Sequence, residues 1–161
     1  MPTRLLIVDD SEQIRSRLCA LLSSVPGVTC ICEAQTLGQA LDSARRDPPT
    51  LVILDMSLPD GLGMQIIQPL KRLAPAVLIA VLTMHAHVGI RKHCLALGAD
   101  WFFDKFTDID ALLEVVRQHA ARKPVLDCKP ETPVRQLSPA NLNPAQCRPD
   151  TALGLTAATT P

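Results

Sequence analysis

A chain of 161 residues that is 47% hydrophobic can bury roughly two-thirds of its unfolded surface in one core, so folding needs neither disulfides nor a structural metal. Sixteen basic and sixteen acidic residues leave a formal net charge of zero, which excludes whole-molecule attraction to nucleic acid or to an anionic membrane. No apolar run approaches the ~18 residues of a membrane helix, and the amino terminus MPTRLLIVDD fits neither a signal nor a transit peptide.

Arg4 to Val8 reads as a first strand, ending at Asp9-Asp10. Ile14, Leu18, Leu21, Leu22 and Val25 then recur at helical spacing until Pro26-Gly27 stops the helix. Val28 to Glu33 is a second strand, and Leu37, Ala40, Leu41 and Ala44 mark a second helix closed by Pro48-Pro49. Leu51 to Leu54 is an unbroken apolar run of the kind found in strands buried on both faces, and it delivers Asp55 to a carboxyl-terminal strand end. Pro59-Asp60-Gly61 is turn chemistry that carries the chain away from that end. A third helix carries Ile66, Ile67, Leu70 and Leu73, with Pro69 near its start as a possible kink.

Val77 to Leu82 is a fourth strand followed by Thr83, and a fourth helix from about Val88 to Leu97 ends at Gly98, a natural carboxyl-terminal cap. Trp101, Phe102 and Phe103 form a short fifth strand ending at Asp104-Lys105. Ile109, Leu112, Leu113 and Val116 mark the last helix, with Thr107 or Asp108 as its N-cap. Five β-α alternations predict an α/β domain over residues 1 to 122, a five-stranded parallel sheet with helices on both faces. Residues 123 to 161 change character: seven of the fourteen prolines lie there, with no aromatic residue and no hydrophobic period. That composition predicts a disordered tail, without a helix-turn-helix for contacting DNA.

The six cysteines show no CxxC pair. Cys30 and Cys32 lie two apart in a strand, ~6.6 Å between Cα atoms and an awkward span for a disulfide. Reduced, partly buried thiols in a cytoplasmic protein are expected. His85 and His87 follow Met84, but no cysteine or acid is patterned with them or with His93, so no metal site is expected there.

Four strand ends thus present polar groups at one sheet edge: Asp9 and Asp10, Asp55, Thr83 and Lys105. In open α/β sheets that edge forms the ligand crevice. Three carboxylates converging there repel one another by up to about 4 kcal/mol per pair at an effective dielectric of 20. A divalent cation resolves the repulsion, and Mg²⁺ suits an all-oxygen site that also engages phosphate. Such a cation orients a phosphoryl group for attack by Asp55, while a lysine ammonium and a threonine hydroxyl hold the remaining oxygens.

Over residues 4 to about 121 the chain resembles the receiver domain of two-component response regulators. LLIVDD, EAQTLGQAL, LVILDMSLPDGLG, VLT and GADWFFDK look like that family's blocks, in order and at family-like separations. The resemblance implies the flavodoxin-like fold with strand order 2-1-3-4-5. It implies Asp55 as phosphoacceptor, Asp9 and Asp10 holding Mg²⁺ with the backbone carbonyl of Ser57, Thr83 as switch hydroxyl, Lys105 contacting the phosphoryl group, and Phe102 as switch aromatic. The family often has Lys-Pro, joined by a cis bond, where this chain has Lys105-Phe106, so that bond's isomer is open here. Met84 stands where the family often has a small residue, and its bulk is expected to narrow access to Asp55.

The function expected is that of a response regulator, not an enzyme in its own right. It takes a phosphoryl group from a sensor histidine kinase or a histidine phosphotransfer protein and signals to a downstream protein through a changed surface. A Mg²⁺-dependent phosphatase with an aspartyl nucleophile is one alternative, but Ser57 stands where its second acid would be. A receiver-like module that is never phosphorylated is the other, and the complete acidic set argues against it.

Overall fold

The computed structural model describes residues 3 to 84 and 86 to 121. The segment expected to form the tail lies outside the described residues, as does His85. Strands β1 (Thr3–Val8), β2 (Val28–Ala34), β3 (Leu51–Leu54), β4 (Leu78–Thr83) and β5 (Trp101–Asp104) alternate with helices α1 (Glu12–Ser23), α2 (Leu37–Arg46), α3 (Ile67–Leu73), α4 (Val88–Ala96) and α5 (Ile109–Ala121). All strand pairs of the main sheet are parallel, in the order β2-β1-β3-β4-β5. This is the flavodoxin-like arrangement, with the chain's direction of winding reversing between β1 and β3.

Alternate residues of each strand feed two separate cores. Leu6, Val8, Val52, Leu54, Ile79 and Val81 pack with residues of α2, α3 and α4 on one face. Leu5, Ile7, Leu51, Ile53, Ala80 and Leu82 pack with α1 and α5 on the other. Because both faces are covered, the central strand β3 is a continuous apolar run without polar alternation, whereas the edge strand β2 carries the exposed Thr29 and Glu33.

Local structure departs from the sequence reading at three places. Ser57–Leu58 and Gly61–Leu62 pair as a small antiparallel hairpin, followed by a 3₁₀ turn over Gly63–Ile66, neither of which has a hydrophobic period to announce it. Pro69 is the third residue of α3; its missing N–H falls in the first turn, where no intrahelical acceptor exists, so no kink is required. Thr83 is the last residue of β4 rather than the residue after it. At the end of α4, Gly98 has a φ of 108° and the Ala99 N–H returns to the Cys94 carbonyl at 3.0 Å, the left-handed cap that its side-chain-free backbone permits. Among the described residues every peptide bond is trans, Lys105–Phe106 included.

Candidate functional site

The adjacent carboxyl ends of β1 and β3 deliver the acidic residues. Asp55 follows four fully buried residues, and its own N–H still bonds the Val8 carbonyl at 2.8 Å, so the β1–β3 ladder holds its backbone in place. Asp9 extends β1 in the same way, donating its N–H to the Ala34 carbonyl at 3.1 Å. The side chains of both are buried, whereas Asp10 is exposed. Ligand atoms of Asp9, Asp10 and Asp55 all lie within 4.8 Å of one another.

Lys105 reaches this cluster from the end of β5. Its Nζ lies 2.6 Å from Asp9 Oδ2 and 2.7 Å from Asp55 Oδ2, with the lysine side chain only 6% exposed. The Lys105 N–H bonds the Thr83 carbonyl at 2.9 Å, which fixes the start of the lysine relative to β4. The remaining carboxylate oxygens are also occupied: Asp9 Oδ1 accepts from the Ser11 N–H at 2.9 Å, and Asp55 Oδ1 from the Met56 N–H at 2.6 Å. Burial pushes the Asp55 carboxyl above its ordinary range even against the pull of Lys105. Burial draws the Lys105 ammonium down, but the hydrogen bonds and charges of Asp55 and Asp9 outweigh it and hold the group above its usual value.

Two residues absent from the sequence reading support this arrangement. Arg15, buried in α1, donates from Nη1 to the main-chain carbonyls of Asp9 at 2.8 Å and Asp10 at 3.1 Å. Its Nε pairs with Glu33 at 3.0 Å. Gly63 packs directly on the carbonyl of Asp55, where any Cβ would collide with it, and its N–H bonds the Met56 carbonyl at 2.9 Å. A lone arginine beside apolar helix positions and a glycine in a loop carry no signal of either role in sequence.

A cleft of about 260 Å³ opens over the acids, lined by Asp9, Asp10, Ser11, Ile14, Asp55, Ser57, Met84 and Lys105. Ser57 thus lies at the cluster, and Met84, 48% exposed, forms part of the rim. Thr83 is buried at the end of β4, and Phe102 is buried among the residues facing α4, such as Cys94 and Ala99, outside the cleft lining. Among the described residues, the clusters of three or more potential metal ligands are Asp9, Asp10 and Asp55 and, elsewhere, Cys30, Cys32 and Asp47.

The acidic cluster fits Mg²⁺. Its donors are all oxygens, and three carboxylates with one ammonium carry two net negative charges. The ammonium of Lys105 bridging two carboxylates shows the demand for a countercharge directly. Chemically the arrangement offers a carboxylate nucleophile beside a fixed cation, the requirements for receiving a phosphoryl group.

A family model described as the response regulator receiver domain matches residues 5–117. The nitrate/nitrite response regulator protein NarL of Escherichia coli (strain K12) is 29% identical over 125 residues, covering 78% of this chain and 58% of NarL. The chain therefore spans little more than half the length of that relative. A CheY-like receiver domain protein from Methanospirillum hungatei JF-1 superposes with a TM-score of 0.68 at 25% identity, covering 74% of this chain and 94% of that one. A response regulator from Burkholderia pseudomallei, crystallised with a phosphorylated aspartic acid, calcium ion and citrate, gives a TM-score of 0.66 at 25% identity, covering 73% of this chain and 68% of that one.

Proposed function

The chain belongs to the response regulator receiver domain family, and from that membership we propose that Asp55 is the residue phosphorylated in a Mg²⁺-dependent two-component phosphorelay. The observation that carries the reading is the bridging of Asp9 and Asp55 by Lys105 in the lining of the cleft. Asp9, Asp10, Asp55 and the backbone carbonyl of Ser57 hold the Mg²⁺, which supplies positive charge to the phosphoryl oxygens when bound.

In the transfer, an Asp55 carboxylate oxygen attacks the phosphorus of a phosphohistidine. The P–N bond breaks as the O–P bond forms, and the imidazole takes a proton from solvent. Lys105, already fixed beside Asp55, neutralises charge on the transferred group, and the hydroxyl of Thr83 takes a further phosphoryl oxygen. Phe102, packed toward α4, carries the change to a surface read by a downstream protein. The donor is a sensor histidine kinase or a histidine phosphotransfer protein, and the protein works in the cytoplasm, with residues 1 to 122 as the phosphorylatable unit. No helix among the described residues is long and apolar enough to cross a membrane.

Intact-mass measurement after incubation with a small acyl phosphate and Mg²⁺ tests the assignment. A gain of one phosphoryl group, absent in Asp55→Ala, is expected. A gain that persists in Asp55→Ala would sink the choice of acceptor, and no gain in either protein would favour a phosphorylation-independent module.

A further inference from the structure

We propose that Cys30, Cys32 and Asp47 form a zinc site on the edge of the sheet, separate from the phosphoacceptor cleft. Cys30 and Cys32 project from the same face of β2, which is the terminal strand of the sheet, and their Sγ atoms lie 3.8 Å apart. One carboxylate oxygen of Asp47 and both sulfurs fall within 4.8 Å of one another, with both cysteines half-buried and Asp47 exposed.

The sulfur separation selects among the possible uses of the pair. A disulfide needs sulfurs about 2.05 Å apart, and residues two apart in a strand have Cα atoms near the upper limit for that bond. Two thiolates bound to one tetrahedral Zn²⁺, at about 2.3 Å each, sit about 3.8 Å apart, so the two sulfurs need no rearrangement. A linear two-thiolate site for Cu(I) would need a wider separation, and the oxygen donor of Asp47 suits the borderline Zn²⁺ better.

Charge and rigidity also favour the site. Two thiolates and a carboxylate, with a water completing the tetrahedron, leave one negative charge on the Zn²⁺ site. Arg4, whose Nη1 lies 3.3 Å from Asp47 Oδ1, neutralises it, and the carboxylate's two oxygens allow both contacts. The cysteines are held by the ladder to β1, where Cys30 faces Arg4 and Cys32 faces Leu6. Asp47 is held as the C-cap of α2, its N–H on the Ser43 carbonyl at 2.9 Å. Both thiol protons leave to solvent on binding, and the cation ties the edge strand to the end of α2.

Titration of the reduced, full-length protein with Co²⁺ provides the test, since thiolate-to-cobalt charge-transfer bands and tetrahedral d–d bands report the ligand set, and Zn²⁺ displaces the signal. We expect the thiolate charge-transfer bands to saturate at one equivalent, the all-oxygen acidic cluster contributing none of them. The bands should vanish in Cys30→Ser/Cys32→Ser and persist in Cys19→Ser/Cys128→Ser/Cys147→Ser. Asp47→Asn, which leaves the strand intact, should weaken Zn²⁺ by at least the roughly tenfold that losing even an outer-shell partner costs. Absence of the bands in the wild type would overturn the proposal. So would their persistence in Cys30→Ser/Cys32→Ser, or Zn²⁺ affinity unchanged in Asp47→Asn.

Discussion

The guanidinium of Arg15 hydrogen-bonds the main-chain carbonyl of Asp9 at 2.8 Å while also reaching that of Asp10 at 3.1 Å. One buried side chain therefore sets the direction in which two consecutive carboxylates leave β1. Such partners behind the ligands commonly change metal affinity about 10- to 100-fold. Replacing Arg15 with Met should weaken Mg²⁺ binding by a factor in that range, measured by isothermal titration, and Asp10→Asn should weaken it as well. Unchanged affinity in Arg15→Met would mean that the β1–α1 turn holds its shape without the guanidinium.

Gly63 is required by its closeness to the carbonyl of Asp55, since a Cβ there overlaps a main-chain atom that cannot swing aside. Gly63→Ala forces the loop after β3 to shift, at a cost of about 3 kcal/mol. Chemical denaturation should show that loss, and the displaced Asp55 should accept phosphoryl groups more slowly. Wild-type stability in the variant would show that the loop relaxes freely.

The buried lysine makes stability depend on alkaline pH. Lys105 binds its proton more tightly in the folded protein than in the unfolded one. Its contribution is therefore fully present below about pH 10.4, the unfolded lysine value, and is lost as pH rises through the higher folded value. Asp55, held above its ordinary range, acts in the opposite sense to a paired acid: its ionised form costs stability from about pH 4 upward. In Mg²⁺-free buffer Lys105→Met should lose about 3–5 kcal/mol, because two buried carboxylates are left facing each other. Thermal melts across pH 9 to 12 should then show less alkaline loss in Lys105→Met than in the wild type, and Asp55→Asn should melt higher than the wild type at pH 7.

Met84 lies on the rim of the cleft over Asp55. Hydrolysis of an aspartyl phosphate needs a water in line with the phosphorus, and positioning governs such steps. Met84→Ala should open that approach and shorten the lifetime of the phosphorylated form, followed as loss of phosphate after removal of the donor. Equal or slower decay in the alanine variant would rule out gating by this side chain.

Among the described residues, both cores are built from β1 through α5. A chain ending at residue 122 should therefore remain phosphorylatable, with a melting temperature within about 4 °C of the full chain, the equivalent of ~1 kcal/mol for a domain of this size. A larger drop would show that residues 123 to 161 contribute to the folded unit.

The sequence by itself determines the β-α alternation and the polar residues at strand ends. Leu51 to Leu54 reads as a strand buried on both faces, which places Asp55 at its end, and Asp9 and Lys105 follow by the same logic. These features are legible because side-chain period and turn chemistry act between residues a few positions apart. What the tertiary structure alone decides are the pairings across long separations. Lys105 meets Asp9 across 96 positions, which depends on the order in which the strands lie. Asp60 leaves its turn to accept the Leu37 N–H, 23 positions away, at 2.8 Å and the Gly38 N–H at 3.1 Å, satisfying the first turn of α2 from another loop. Arg15 and Gly63 likewise acquire meaning only from main-chain carbonyls that no local pattern places beside them. The same holds for Cys30 and Cys32: their spacing argues against a disulfide, but only the path of the chain through α2 brings Asp47 to them.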